Sequence, residues 1–253
     1  MIVAAVQVRM NSMRLPGKAL AEVVGRPMLW HIVNRLRFAR RLDQVIIATS
    51  DEQTDAPIRV FADQHRIPCV AGSERDVIDR LCRSARHFGA DVLVRITGDC
   101  PLVDPHVVDD MIAVYLAHTD QVDYVTNTLP PTYPDGLDAE VYPMATLERL
   151  WRELNESFWR EWFVGYLTEH QETFRVLNVA HSVDLSALRW TVDYEEDLVF
   201  VRKVYERLYR EDEFFDLGDV VALLEAEPAF TGLNAMHARN EGYAIALAAY
   251  RRM

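Results

Sequence analysis

Ile2-Val-Ala-Ala-Val-Gln7-Val8-Arg9-Met-Asn-Ser12-Met-Arg14-Leu-Pro-Gly17-Lys18 opens the chain, and its two halves read differently. The apolar run from Ile2 to Val8 has the length of a buried strand. It empties into a turn that carries three cations, a serine, an asparagine and a Pro-Gly pair. A strand end feeding a basic, glycine-containing turn is where open α/β sheets bind phosphate groups. Gly17 lets the backbone come close to a ligand, and Pro16 stiffens the approach. The pattern matches neither the G-x-x-x-x-G-K-S/T loop nor G-x-G-x-x-G, so those two phosphate-binding readings fail.

Working outward, strand and helix patterns alternate up to residue 126. Candidate strands are Ile2–Val8, Gln44–Thr49, Pro68–Val70, Val92–Ile96 and Tyr124–Thr126. Between them, Met28, Leu29, Ile32, Val33 and Leu36 form a helical stripe. Val77, Ile78, Leu81, Cys82 and Ala85 form another, after Ser73 and Asp76 as plausible caps. A third, from Val107 to Tyr115, begins at Asp104-Pro105. This rhythm predicts a doubly wound α/β fold with a mostly parallel sheet. It breaks at Leu129-Pro-Pro-Thr-Tyr-Pro-Asp-Gly136, where proline density forbids a helix or a central strand. Beyond lie a short strand, Asp138–Tyr142, an aromatic-rich helical region from Ala145 to about His170, and strands Phe174–Val179 and Leu188–Asp193. The end reads as helices over Glu195–Tyr209, Leu217–Leu224 and Asn234–Tyr250. Residues 1–128 and 186–253 are therefore expected to form one sheet domain, with 129–185 as an insertion.

The net charge of −12 argues against general affinity for nucleic acid or anionic membrane. Residues 1–40 run the other way: Arg9, Arg14, Lys18, Arg26, Arg35, Arg37 and Arg40 face Glu22 alone, a local balance of +6. A cationic end on an acidic protein suits a small polyanion such as a nucleoside triphosphate. Of the cations, 25 are arginine and two are lysine, so Lys18 directly after Pro-Gly stands out as a compact point charge. Cys69, Cys82 and Cys100 form no CxxC pair, and the histidines no HxxxH or HExxH spacing, so neither a disulfide framework nor zinc is expected. With no secretory signal and no apolar run of membrane-spanning length, the expectation is a cytoplasmic protein.

Two acids stand out. Asp99 follows the strand Val92–Ile96, and the carboxyl end of a parallel strand is where ligands bind in such sheets. It could hold Mg²⁺, which takes one or two carboxylates plus phosphate oxygens, or cap the turn before Pro101. Asp193 ends the candidate strand Leu188–Asp193 and could serve as N-cap in Asp193-x-x-Glu196.

The opening turn, Arg9-x-x-Ser12-x-Arg14-Leu-Pro-Gly17-Lys18, resembles the signature of cytidylyltransferases that make CMP-activated sugars, in particular the spore-coat polysaccharide protein F type. These are relatives of the KDO and acylneuraminate cytidylyltransferases. Further matches follow in order: Gly25-Arg-Pro-Met-Leu29, Ile47-Ala-Thr-Ser-Asp51, Gly72-Ser-Glu-Arg75-Asp76-Val-Ile-Asp79-Arg80, and Arg95-Ile-Thr-Gly-Asp99-Cys-Pro-Leu102. Then come Tyr133-Pro-Asp-Gly136-Leu-Asp138-Ala-Glu140, Thr191-Val-Asp193-Tyr-Glu-Glu-Asp197-Leu198 and Arg239-Asn-Glu-Gly-Tyr243. One segment departs: Arg160-Glu161-Trp162-Phe163 stands where such proteins usually read Arg-Glu-His-Val, on the acceptor and dimer side.

The resemblance implies a CTP-dependent enzyme that transfers CMP to a sugar acid or related surface-polysaccharide precursor and releases pyrophosphate. Arg9, Arg14 and Lys18 are then the catalytic cations on the β,γ-phosphates, and Asp99 and Asp193 hold Mg²⁺. Gln7, Ser12, Gly17, Arg75, Asp76, Asp79 and Arg80 are assigned to the nucleotide, and Asp138 and Glu140 to the acceptor. A homodimer is expected through the aromatic-rich region. Two rival readings keep the fold: a glycosyltransferase using a nucleotide-sugar donor, and a non-catalytic sugar-nucleotide binding subunit. The first commonly holds its metal through Asp-x-Asp, whereas Asp99 is followed by Cys100-Pro101.

Overall fold

Alternate residues of the first strand feed two different cores, which is why that strand is apolar on both faces. In the computed structural model, which describes residues 1–252, β1 (Ile2–Gln7) places Ala4 and Val6 in one core and Val3 and Ala5 in the other. A hairpin of β2 (Glu22–Val23) and β3 (Arg26–Pro27) leads into α1 (Met28–Leu36). There follow β4 (Gln44–Ser50), α2 (Ala56–Gln64), β5 (Cys69–Gly72), α3 (Val77–His87), β6 (Val92–Thr97), α4 (Pro105–Ala117) and β7 (Tyr124–Thr126). The second half holds β8 (Glu140–Pro143), α5 (Met144–Glu153), α6 (Ser157–Glu161), α7 (Phe163–Glu169), β9 (Val176–Asn178), α8 (Glu195–Leu208), α9 (Leu217–Ala226) and α10 (Glu241–Tyr250).

Seven strands form one sheet in the order β5-β4-β1-β6-β8-β7-β9. β5, β4, β1 and β6 are mutually parallel, β8 runs antiparallel to both β6 and β7, and β9 is parallel to β7. One face packs on α1, α2, α4, α8 and α9, the other on α3, α5 and α7. This is the doubly wound, mostly parallel sheet expected. α3 shows how local signals agree with packing. Asp76 accepts the Asp79 amide at 3.0 Å as N-cap, a bond of about 1 kcal/mol, and the Val77–Ala85 stripe is buried.

Four elements differ from the sequence reading. Leu188–Asp193 is not a strand. It is an extended segment that touches the sheet region through a single bridge, Asp135 with Arg189, and through the Val192 amide on the Asp99 carbonyl. The helical region Ala145–His170 is three helices, not one. The chain leaves helical geometry at Leu154, and Arg160 caps the freed carbonyls of Trp151 and Leu154 at 2.9 and 2.6 Å. The last helix begins at Glu241 instead of Asn234, after an irregular stretch that turns at Asn240 with φ 56°. α2 was not anticipated, because only Ile58, Phe61 and Ala62 of its short stripe are buried. Residues 129–185 contribute β8 and β9 to the common sheet.

Candidate active site

The carboxyl ends of β1 and β6 lie side by side, and the turns that leave them supply the centre of the site. After β1 the chain folds back on itself. Met10 accepts the amides of Ser12 and Gly17, each at 3.0 Å, and Gly17 adopts φ 78°, which only glycine does without strain. The Ser12 hydroxyl accepts the Leu15 amide at 3.3 Å, so Ser12 shapes the turn from inside. Buried Asp55, which no local pattern singles out, anchors the whole turn by accepting the Met10 amide at 2.7 Å. After β6, the Gly98 amide donates to the Gln7 carbonyl at 2.8 Å. A Cβ at position 98 would lie 2.5 Å from that of Val8, so the two turns touch only because residue 98 has no side chain.

These turns bring Lys18 and Asp99 together with Asp193. The Lys18 ammonium donates to Asp99 Oδ2 at 3.2 Å, to Asp193 Oδ1 at 2.9 Å and to the Val192 carbonyl at 2.6 Å. All three of its hydrogens are thus engaged. Burial alone would lower the Lys18 pKa, but the two carboxylates outweigh it and hold the amine above its usual value. Burial would likewise raise Asp99, yet Lys18 and the Thr97 hydroxyl hold it below the ordinary carboxylate range. Arg14 closes the far side of Asp193 at 2.7 Å and lies 5.1 Å from the centre of the Tyr194 ring.

Asp193 does not cap α8. Tyr194 stands at that position, and Asp197, wholly buried, accepts the amides of Asp193 and Tyr194 at 2.9 and 3.0 Å. Asp197 also pairs with Arg189, whose guanidinium reaches Asp135 at 3.0 Å and Asp193 at 3.4 Å. Arg189, missed in the sequence, is the buried cation that lets several acids gather here. Gly136 makes the crossing possible: its φ is 112°, and a Cβ there would lie 2.5 Å from the Thr191 amide nitrogen.

The remaining predicted residues sit on two other walls. Arg9 faces away from Lys18, toward Glu74 at 3.7 Å and Glu161 at 3.6 Å. Asp76 is engaged as helix cap and by Arg160 at 2.7 Å, and Asp79 accepts the Trp151 indole N–H at 2.7 Å. Arg75 is exposed. Arg80 is wholly buried: one guanidinium nitrogen bonds the Ser73 and Glu74 carbonyls, while Nε and the other terminal nitrogen have no partner. Burial, then Arg9 and Arg95, push its pKa down to about 10. A buried guanidinium with unpaired N–H groups is costly, and these nitrogens are closed to solvent by the surrounding fold. Gln7 and Glu140 meet on Arg95, at 2.7 Å to Gln7 and 2.7 and 2.8 Å to the two Glu140 oxygens. Asp138 pairs with Arg239, and burial raises its carboxyl to about 7 against the pull of that guanidinium. In the aromatic-rich region expected to carry the homodimer, Phe158 and Trp159 pack on Tyr250 of α10 in the same chain.

Two carboxylates that share one ammonium form a site built for a cation, and Asp99 and Asp193 fit Mg²⁺ on that ground. Among the described residues no group of three or more His, Cys, Asp or Glu converges as a self-sufficient metal site.

A doubly wound sheet with a basic turn after its first strand, and facing acids after β6 and before α8, defines a nucleotide-handling α/β enzyme. The sequence profile of the family described as Cytidylyltransferase matches residues 3–213, and the chain belongs to that family of CTP-dependent nucleotidyltransferases. The spore coat polysaccharide biosynthesis protein SpsF of Bacillus subtilis is 28% identical over 234 residues, 90% of this chain and 95% of its own. The 3-deoxy-manno-octulosonate cytidylyltransferase of Geobacter metallireducens is 37% identical over 116 residues, 46% of this chain and 45% of its own. The structure of a cytidylyltransferase from Leptospira borgpetersenii superposes with a TM-score of 0.87 at 27% identity, covering 95% of this chain and 97% of that one. No helix among the described residues is long and apolar enough to cross a membrane.

Proposed function

We propose that this enzyme transfers CMP from CTP to a hydroxyl of a sugar acid or related surface-polysaccharide precursor, with Mg²⁺ as its metal. The acceptor oxygen bonds to the α-phosphorus, the bond from that phosphorus to the oxygen bridging to the β-phosphate breaks, and pyrophosphate leaves while the hydroxyl proton is released. The observation that carries this reading is Lys18 held between Asp99 and Asp193, with Arg14 on Asp193.

In the free protein the functional cations and carboxylates neutralise one another. With metal and triphosphate bound, Asp99 and Asp193 would hold the metal, and Lys18 and Arg14 would turn to phosphate oxygens. Mg²⁺ held there would offset phosphate charge and align the reacting oxygens. Lys18 and Arg14 would stabilise the charge that builds on departing pyrophosphate, which is where such catalysis chiefly lies. Arg80 is assigned to the nucleotide as a buried positive charge behind its wall of the site, with Arg9 beside it. Asp138 and Glu140 are assigned to the acceptor wall.

The same proposal includes a homodimer and a cytoplasmic site of action. The three free cysteines, Cys69, Cys82 and Cys100, support a reducing compartment. With Phe158 and Trp159 covered by α10, the apolar surface left for a second copy includes exposed Ile245. Light scattering in solution tests the dimer.

Pyrophosphate release measured with each of the four nucleoside triphosphates, with and without Mg²⁺, against sugars, sugar acids and phosphorylated polyols tests the reaction. Release with CTP and Mg²⁺ on a sugar acid is expected, with mass spectrometry finding the CMP-linked product. No release with CTP and any acceptor would overturn the proposal.

A further inference from the structure

Residues 234–250 lie beyond the stretch matched by the family profile, yet they return to the centre of the site. Asn234 pins the segment by donating to the Arg189 carbonyl at 3.0 Å and to Asp197 at 2.8 Å. His237 stacks on the Tyr194 ring, centroids 3.8 Å apart and planes 6° from parallel. Arg239 reaches the Tyr133 carbonyl at 3.0 Å and pairs with Asp138. Glu241 accepts the Tyr194 hydroxyl at 2.6 Å and lies 3.9 Å from Arg14. Gly242 runs alongside the same guanidinium: a Cβ there would stand 3.6 Å from it. α10 then lands on the opposite wall, with Tyr243 filling the space left by Gly165 and packing near Trp162.

Tyr194 is therefore held on one ring face by His237 and at its hydroxyl by Glu241, and the Arg14 guanidinium rests over that ring. A long arginine side chain loses much rotamer freedom when it docks on phosphate. A platform that fixes its plane beforehand removes part of that loss.

We propose that the segment 234–250 is a strap belonging to the active site, in which Glu241 and Tyr194 act as positioning residues that orient Arg14 for the triphosphate. This rests on the nucleotidyl-transfer reading above. It adds that residues 3–213, the stretch matched by the family profile, do not by themselves complete the phosphate site of this chain.

The test is nucleotide affinity by calorimetry, without acceptor, for wild type, Glu241→Gln and Tyr194→Phe. Both substitutions keep side-chain shape. Because Arg14 is assigned to the β,γ-phosphates, the dissociation constant for CTP should rise about three- to tenfold, the effect of one hydrogen bond, and that for CMP should not change. In an Arg14→Ala background, neither substitution should weaken CTP binding further. Unchanged or tighter CTP binding, equal losses for CTP and CMP, or losses that add to that of Arg14→Ala would each overturn the strap. Failure of the underlying reading looks different: the wild type itself would bind CTP no better than CMP.

Discussion

Arg14, in the turn after the first strand, meets Asp193, just ahead of α8, at 2.7 Å, and the same carboxylate takes Lys18 on its other oxygen at 2.9 Å. On the proposed function, the free protein would store its phosphate-binding cations on its metal-binding acids. A metal–triphosphate would then exchange ion-pair partners instead of desolvating bare charges. That exchange makes the following outcomes specific.

Lys18→Ala should weaken CTP binding more than CMP binding, since the ammonium faces the phosphates only in the exchanged state. It also leaves Asp99 and Asp193 facing each other with no ammonium between them. Asp99 should then titrate above its wild-type value, because the cation that holds it down is gone. Equal losses for CTP and CMP, or an Asp99 titration that does not move by NMR, would count against this arrangement.

Asp99→Asn should abolish turnover, by about a hundredfold or more, with the fold retained. The amide can still accept from Lys18 and Thr97, but it binds Mg²⁺ poorly. Steady-state pyrophosphate release alongside thermal unfolding checks both halves. Undiminished release would remove Asp99 from the metal site.

Arg80→Met separates stability from binding. Burying a guanidinium with two unpaired nitrogens is unfavourable, and an apolar side chain of similar length relieves that cost. Free-protein stability should therefore change by no more than about 1 kcal/mol, while CTP affinity falls about three- to tenfold through loss of a positive charge behind the nucleotide wall. A large loss of stability with intact nucleotide binding would make Arg80 a purely structural residue.

His31 predicts acid sensitivity far from the site. Its ring is buried among Tyr205, Tyr209 and Trp30 and bonds the Val23 carbonyl at 2.8 Å. Burial pushes its pKa down to about 4. Below pH 6.5 the unfolded chain binds a proton that the native state refuses. The contribution is thus fully present above about pH 6.5 and lost as pH falls toward 4, up to about 3 kcal/mol. Urea denaturation across that window should give a shallower pH dependence in His31→Gln than in wild type.

Gly136→Ala should destabilise by about 2 kcal/mol or more. A Cβ at φ 112° is strained, and it would meet the backbone of Trp190 and Thr191, which cannot yield as a side chain can. The same crossing carries Asp193 to Lys18, so activity should fall even in molecules that fold. Melting curves and residual pyrophosphate release measure the two effects.

The parallel strands, the α3 cap at Asp76 and the phosphate-type turn were all legible in the chain, because each depends on neighbours within a few residues. β1 shows why: apolar on both faces, it could only lie inside a sheet covered on both sides. Family membership followed from motifs strung along the whole length. Leu188–Asp193, by contrast, has the composition of a strand but finds no strand to pair with, because Gly136 lets another segment cross there. Asp197 looked like an ordinary helix acid until Arg189 and Asn234 enclosed it.

The parallel strands, the helices α1, α3, α4 and α8, and the family are thus readable from the residues alone, since hydrophobic period and turn chemistry are short-range properties. Folding in three dimensions settles that Lys18 rests between Asp99 and Asp193, that Arg9 pairs with Glu74 and Glu161, and that the C-terminal segment closes on Arg14. Those pairings join groups far apart in the chain. Charge attraction acts on whatever the folded backbone brings near, and no local pattern records which groups those will be.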